Sequence, residues 1–215
     1  MNKDIAAIRQ EYTLKSLDER EVSKDPIKQF NNWLTEALDS LLHEPTAMHI
    51  ATVDANGRPS GRIVLLKGVE NNGLVFYTNY DSRKGKELIK HPQACITFFW
   101  PELERQIRIE GVVEKVSPEM SDEYFNSRPV SSRLGAIASP QSKKIKSRDT
   151  LEAEFSKVID SFKDREIVRP ENWGGFILNP DYFEFWQGRS SRLHDRIVYE
   201  QNENSKDWTI GRLAP

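Results

Sequence analysis

Residues 47–78 read AMHIATVDANGRPSGRIVLLKGVENNGLVFYT, and this stretch decides the fold class. Ala47 to Val53 is β-branched and apolar enough for a strand. Asp54-Ala55-Asn56-Gly57 is a turn, with Gly57 where a positive φ is needed. Arg62 to Val69 is the return strand, Asn71-Asn72-Gly73 turns the chain again, and Leu74 to Thr78 follows. Strands joined by turns this short pair antiparallel, because parallel neighbours need long crossovers.

The flanks extend the same pattern. Asp25-Pro26 opens a helix, with Asp as N-cap and Pro at its first position. Ile27, Phe30, Leu34, Leu38, Leu41 and Leu42 repeat at helical spacing, and Pro45 stops the run. Helices are also predicted for Ser82 to Lys90, Pro118 to Asn126, the stretch around Arg133 to Ala138, and Thr150 to Phe162. The last carries Leu151, Phe155, Val158, Ile159 and Phe162 on one stripe. Ala94 to Trp100, Gln106 to Val116, Trp173 to Trp186 and Ile197 to Ile210 read as strands, the final one a hairpin around Glu203-Asn204. Lys143-Lys144-Ile145-Lys146 reads as a surface loop. The fold class is mainly β with flanking helices (α+β), an antiparallel sheet or barrel rather than a βαβ winding. Residues 1–24, charged and weakly periodic, form an arm or lid, and 25–215 a single domain.

With 31 Lys and Arg against 33 Asp and Glu, the net charge is −2 and the pI about 6.1. That balance excludes a general nucleic-acid binder, so an anion site must come from local clustering of cations. Met1 to Arg9 lacks the apolar core of a signal peptide, and no apolar run approaches a bilayer span. Cys95 is alone, which rules out an internal disulfide, and it sits mid-strand as a core residue. A cytoplasmic protein without a membrane partner is expected.

Cations cluster in several places. Arg62 and Lys67 are five apart on a strand, hence on opposite faces unless a bulge intervenes. They are either two edge charges or contacts to two different anions. Tyr77-Thr78 runs through a short loop to Ser82-Arg83-Lys84 at a helix start, where free N–H groups and the dipole favour a phosphate. Arg83 and Lys84 oppose that dipole unless an anion joins them. Tyr124, Arg128, Ser131 and Ser132 at a helix-to-loop junction suit a second oxyanion cradle, or else Arg128 simply complements a helix C-terminus. Near the end, Trp186-Gln187-Gly188-Arg189-Ser190-Ser191-Arg192-Leu193-His194-Asp195-Arg196 offers planar cations, an imidazole and an indole, suited to a flat anionic molecule or to a solvated basic loop. Four scattered histidines (43, 49, 91, 194) give no metal-ligand spacing, so no metal is expected. GxSxG, Walker and GxGxxG motifs are absent, and no carboxylate pair stands out. Any chemistry then falls to a bound cofactor.

These residues resemble the pyridoxine/pyridoxamine 5′-phosphate oxidase family over essentially the whole chain. The motifs are Asp25-Pro26 with Phe30 and Trp33, Arg62-x-Val64-Leu65-Leu66-Lys67, Phe76-Tyr77-Thr78-Asn79, Ser82-Arg83-Lys84 and Leu103-Glu104-Arg105-Gln106. Further along stand Tyr124-Phe125-x-Ser127-Arg128-Pro129, Gln141-Ser142, Trp173-Gly174-Gly175-Phe176, Glu184-Phe185-Trp186-Gln187-Gly188, Arg192-Leu193-His194-Asp195-Arg196 and Arg212-Leu213-Ala214-Pro215. The resemblance implies a homodimeric split β-barrel with FMN at the subunit interface. It implies oxidation of pyridoxine 5′-phosphate or pyridoxamine 5′-phosphate to pyridoxal 5′-phosphate, with O₂ reduced to hydrogen peroxide. By motif, FMN contacts fall on Arg62, Ile63, Val64, Leu65, Leu66, Lys67, Tyr77, Thr78, Arg83, Lys84, Gln106, Gln141, Ser142, Trp186 and Arg196, with Gln141 and Ser142 reaching the partner's flavin. Substrate contacts fall on Lys67, Tyr124, Arg128, Ser132, Arg192 and His194, the last two at the catalytic end and in an extended segment that puts them on one face. Arg9 and Tyr12 match an element that closes over the substrate. The Arg189-Ser190-Ser191 spacer departs from the family pattern. A split-barrel flavin reductase or nicotinamide-dependent oxidoreductase would lack the second cradle, and a non-catalytic carrier of flavin or vitamin B6 phosphate would keep both.

Overall fold

Asp25 caps the first helix, α1 (Pro26–Leu38), its carboxylate accepting from the Ile27 and Lys28 N–H groups. The computed structural model describes residues 4–7, 11–202 and 204–215. Helix α1 buries Ile27, Phe30, Trp33 and Ala37, while Leu38 and Leu41 are exposed. It stops at Leu38 rather than continuing to Leu42. Ser40 Oγ donates to the Ala37 carbonyl at 2.7 Å, taking an acceptor that a further turn would need.

The strands are β1 (Ala47–Val53), β2 (Pro59–Leu65), β3 (Gly68–Glu70), β4 (Gly73–Asn79), β5 (Gln93–Trp100), β6 (Arg105–Lys115), β7 (Trp173–Gln187), β8 (Asp195–Gln201) and β9 (Trp208–Leu213). They join in the order β2-β1-β5-β6-β7-β4-β3, with β8 pairing β7 and β9. Every pairing whose register is described is antiparallel. The remaining helices are α2 (Arg83–Lys90), α3 (Pro118–Ser127), α4 (Val130–Ala138) and α5 (Arg148–Ser161).

Contacts cluster into two units. The first comprises the described residues up to His49 with Cys95–Glu110 and Pro180–Pro215. Its core sets Phe30 against Phe98 and Trp33 edge-on to Phe185, with ring centroids 5.3 Å apart in each pair. Arg105 lies over Trp33 at 4.2 Å and donates to Gln187 and Glu36. Within it the arm is tied down: Leu14 N donates to Glu104, Leu17 N to Asp195, and the Ser23 carbonyl accepts from Tyr199. Strands β8 and β9 form the expected hairpin, paired from Gln201 and Trp208 inwards, and Glu203 at its predicted turn lies outside the described residues.

The second unit comprises Ile50–Ala94 and Gly111–Asn179. Gly57 has φ +78°, as its turn requires. The expected single return strand from Arg62 to Val69 is instead two strands, broken at Leu66 and Lys67. The chain changes partner there: β2 pairs with β1 and β3 with β4, and between them Leu66 is buried, Lys67 is exposed and the Lys67 N–H already donates to Val75 of β4. Strands β3 and β4 then close over Asn71 and Asn72, whose φ values of 48° and 65° make the left-handed pair of a type I′ hairpin. Ser82 caps α2 through the Gly85 N–H, and a Cβ on Gly85 would sit 2.4 Å from the Tyr80 carbonyl oxygen. Helix α5 carries the predicted apolar stripe, yet none of its residues is fully buried.

Candidate active site

A cavity of about 520 Å³ opens in the second unit, walled by the β2–β3 break, β4, and the starts of α2 and α4. Ile63, Val64, Leu65, Lys67, Tyr77, Thr78, Lys84, Tyr124, Arg128, Ser132 and Gln141 line it, so residues expected of both cradles share one space. Pro129 and Trp173 complete the wall. Leu66 points into the core instead. Ser142 is exposed, with a left-handed φ of 69°.

Lys84 is buried, yet its partners are neutral: Nζ donates to Thr78 Oγ1 at 2.8 Å and to Gln141 Oε1 at 3.1 Å. Burial, with Arg62 adding to it, pushes its pKa down to about 8. Gln141 thus meets Thr78 and Lys84 of its own chain, whereas the resemblance sends it to the partner's flavin. Arg62 and Arg83 do not line the cavity. Glu87 holds both, with Oε1 accepting from Arg83 Nε at 2.7 Å and Oε2 from Arg62 Nη2 at 3.4 Å. Ser60 and Thr52 also donate to Oε2. Burial alone would raise the Glu87 carboxyl, but these donors outweigh it and hold the pKa at about 2.

At the other end, Arg128 caps α3 and stands over the Trp173 ring at 4.7 Å, with Nη1 buried and without a hydrogen-bond partner. Tyr77 and Tyr124 stack at 3.8 Å. Burial, followed by the neighbouring Tyr124, pushes the Tyr77 phenol up to about 12, and burial raises Tyr124 as well. Both therefore keep their protons and remain donors.

The other predicted residues lie in the first unit. Gln106 is half-buried on β6. Trp186 meets the His194 ring at 4.7 Å and the edge of Tyr12 at 5.7 Å. His194 Nδ1 accepts from the Arg189 N–H at 3.1 Å, which requires a neutral ring nitrogen there. Burial and then Arg192 lower the His194 pKa, against a smaller opposing effect of Asp195. Arg196 grips Glu184 with two hydrogen bonds of 2.8 and 3.0 Å. The expected extended segment is overturned. Ser190–Arg192 form a tight turn, with Ser191 and Arg192 left-handed at φ 55° and 60°, so strand alternation does not relate Arg192 to His194. Arg189 explains the unusual spacer, since Nη1 pairs with Asp195 at 2.9 Å. Arg9 lies outside the described residues.

Sequence reasoning missed Glu87 and Trp173 as site residues. Glu87 was signalled by its i,i+4 spacing from Arg83, a pair that meets on a helix face. Trp173 was visible only as part of a motif. Among the described residues, no group of His, Cys, Asp or Glu is placed to hold a metal ion.

Residues 34–162 match the family described as pyridoxamine 5′-phosphate oxidase, and residues 173–215 the pyridoxine 5′-phosphate oxidase C-terminal dimerisation region. The chain belongs to the pyridoxine/pyridoxamine 5′-phosphate oxidase family. Relatives of that name from Burkholderia lata and Leptospira interrogans are 54% and 52% identical, over 98% and 100% of this chain and 99% and 100% of theirs. Among solved structures, PhzG from Burkholderia lata 383, in complex with tetrahydrophenazine-1-carboxylic acid, superposes with a TM-score of 0.88. Its identity is 29%, covering 96% of this chain and all of that one. A pyridoxamine 5′-phosphate oxidase-related FMN-binding protein from Nostoc punctiforme matches with TM-score 0.72 at 20% identity, over 89% of this chain and 98% of its own. The fold is this oxidase family's antiparallel split β-barrel with flanking helices.

Proposed function

We propose that this protein is an FMN-dependent oxidase that converts pyridoxine 5′-phosphate or pyridoxamine 5′-phosphate to pyridoxal 5′-phosphate, reducing O₂ to hydrogen peroxide. It acts as a homodimer, in keeping with its C-terminal dimerisation region. The observation that carries the reading is the cavity with spare cationic donors at both ends. Lys84 is a buried cation facing only neutral acceptors, and Arg128 Nη1 has no acceptor at all. Two phosphorylated ligands complete both groups, and the aromatic wall at Tyr77 suits a flat ring.

When bound, FMN would supply the hydride-accepting and O₂-reducing chemistry that no side chain here provides. Lys84 and Thr78 hold its phosphate, with Arg62 and Arg83 adding positive charge behind them. Arg128, Tyr124 and Ser132 hold the substrate phosphate, and Lys67 serves both ligands. Arg192 and His194 are assigned to the substrate ring: the guanidinium covers its face, and the imidazole hydrogen-bonds its oxygen substituents. Their work is orientation, which lowers the barrier without a proton leaving the side chain. Gln106, Gln141, Ser142, Trp186 and Arg196 complete the flavin contacts. Tyr12, on the arm ahead of the 25–215 domain, is assigned to the substrate side. No helix among the described residues is long and apolar enough to cross a membrane, and the cytoplasm is the compartment we assign.

Aerobic incubation of the flavin-loaded protein with pyridoxine 5′-phosphate tests the function. Pyridoxal 5′-phosphate and peroxide should appear in equal amounts. Flavin reduced only by a nicotinamide would make it a reductase, and binding of both ligands without turnover would make it a carrier.

A further inference from the structure

Trp173 is buried at the start of β7, opposite Asn79 in the sheet register. Its carbonyl accepts from Arg169 Nη1 at 2.7 Å, and Arg169 is itself tied to Asp122. That bond ties the backbone, and the buried indole is held by the rings packed around it, Phe125 edge-on at 5.3 Å among them. Tyr124 lies parallel to it within 3° at 6.2 Å, and Tyr77 within 13° at 5.8 Å. The Arg128 guanidinium rests over the Trp173 ring at 4.7 Å, with the Phe125 ring farther off at 6.0 Å, and among the described residues no carboxylate pairs with it.

A cation can be held in place in two ways. A carboxylate holds it by consuming its N–H donors and cancelling its charge. An aromatic face holds it through the ring quadrupole, leaving the donors and the charge available. Arg128 has the second arrangement, and its buried Nη1 is unspent. We propose that Trp173 is a positioning residue for Arg128, a shelf that orients the guanidinium toward the substrate's phosphate while leaving its hydrogen bonds for that dianion. This rests on the assignment of Arg128 to the substrate phosphate.

The test is a double-mutant cycle on the holoenzyme with pyridoxine 5′-phosphate as substrate. It compares the parent, Trp173→Leu, Arg128→Ala and the double variant. Trp173→Leu should raise KM about three- to thirtyfold, the span of a cation–π contact, with kcat moving far less. In the Arg128→Ala background the same change should alter KM by less than about twofold, because coupled residues are not additive. Equal factors in both backgrounds would overturn the shelf and leave Trp173 a packing residue. An unchanged KM in Arg128→Ala would overturn the assignment of Arg128 itself, and the shelf with it. Should Trp173→Leu not fold, Trp173→Phe runs the same cycle with an expected factor of about two to five, since Phe is the weaker partner.

Discussion

Lys84 Nζ lies 2.8 Å from Thr78 Oγ1, so a buried ammonium leans on a neutral hydroxyl rather than on a carboxylate. Burial, with Arg62 adding to it, lowers its pKa from 10.5 to about 8. The charged form is disfavoured in the folded apoprotein below pH 8, and that penalty lifts as pH rises toward 10.5. Apoprotein stability should therefore climb across this window. A phosphate dianion favours the charged form, so FMN binding takes up a proton above pH 8. Fluorescence titrations should show affinity falling by up to about tenfold per pH unit there. Lys84→Met should flatten this profile and weaken binding about ten- to a hundredfold at pH 7, the range of a charge-assisted hydrogen bond. A parent profile that is flat from pH 7 to 9.5 would contradict the assignment.

Glu87 organises the cations behind the cavity. Its pKa is lowered from 4.5 to about 2, so its contribution to stability is present above 4.5 and lost as pH falls toward 2. Glu87→Gln leaves Arg62 with a weaker acceptor and should cost about 2–3 kcal/mol at pH 7. In urea unfolding the gap between the two proteins should narrow below pH 4.5. A gap independent of pH would mean that the carboxylate's charge is not what matters.

Arg128→Ala should raise KM for pyridoxine 5′-phosphate by about a hundredfold or more and change FMN affinity little, since it removes a desolvated guanidinium from a dianion. The parent protein should use unphosphorylated pyridoxine poorly. Equal use of both forms would show that no phosphate cradle is needed.

Arg192→Leu should lower kcat/KM by about a hundredfold, or roughly 2.7 kcal/mol, with the flavin spectrum unchanged. His194→Asn keeps a polar group and should cost less. Because burial and Arg192 lower the His194 pKa from 6.5, the neutral ring is favoured, and any acid limb it causes should lie below 6.5. Stopped-flow reduction across pH 5–8 checks this, and a limb that survives in His194→Asn belongs to another group.

The parts of the fold legible in the sequence are those set by local chemistry. Asp25 as a cap, Gly57 in its turn and the Asn71-Asn72 turn need only neighbouring residues for their reading. The strand break at Leu66 and Lys67 did not show, because an unbroken apolar run carries no mark of where its pairing passes from one neighbouring strand to another. The left-handed turn at Ser191 and Arg192 was hidden for a similar reason, since neither residue type announces a positive φ. Helix α1 ended early because Ser40 reached back to Ala37, and beyond it Leu41 kept helical spacing while standing exposed. In the site, motif matching gathered the cavity's cations and phenols. It could not tell that Glu87 occupies Arg62 and Arg83, which is a matter of three-dimensional neighbours.

At Gly85 backbone rests on backbone, with the Tyr80 carbonyl where any side chain would begin. No rotamer can adjust such a contact, so the offset between Thr78 at the strand end and Lys84 on the helix acts as a fixed spacer. Evolution or design can exchange the side chains mounted on that spacer and so alter which anion it prefers. Changing the distance itself would require rebuilding the chain between 80 and 85. Gly85 is thus the residue that keeps the two donors at their present separation.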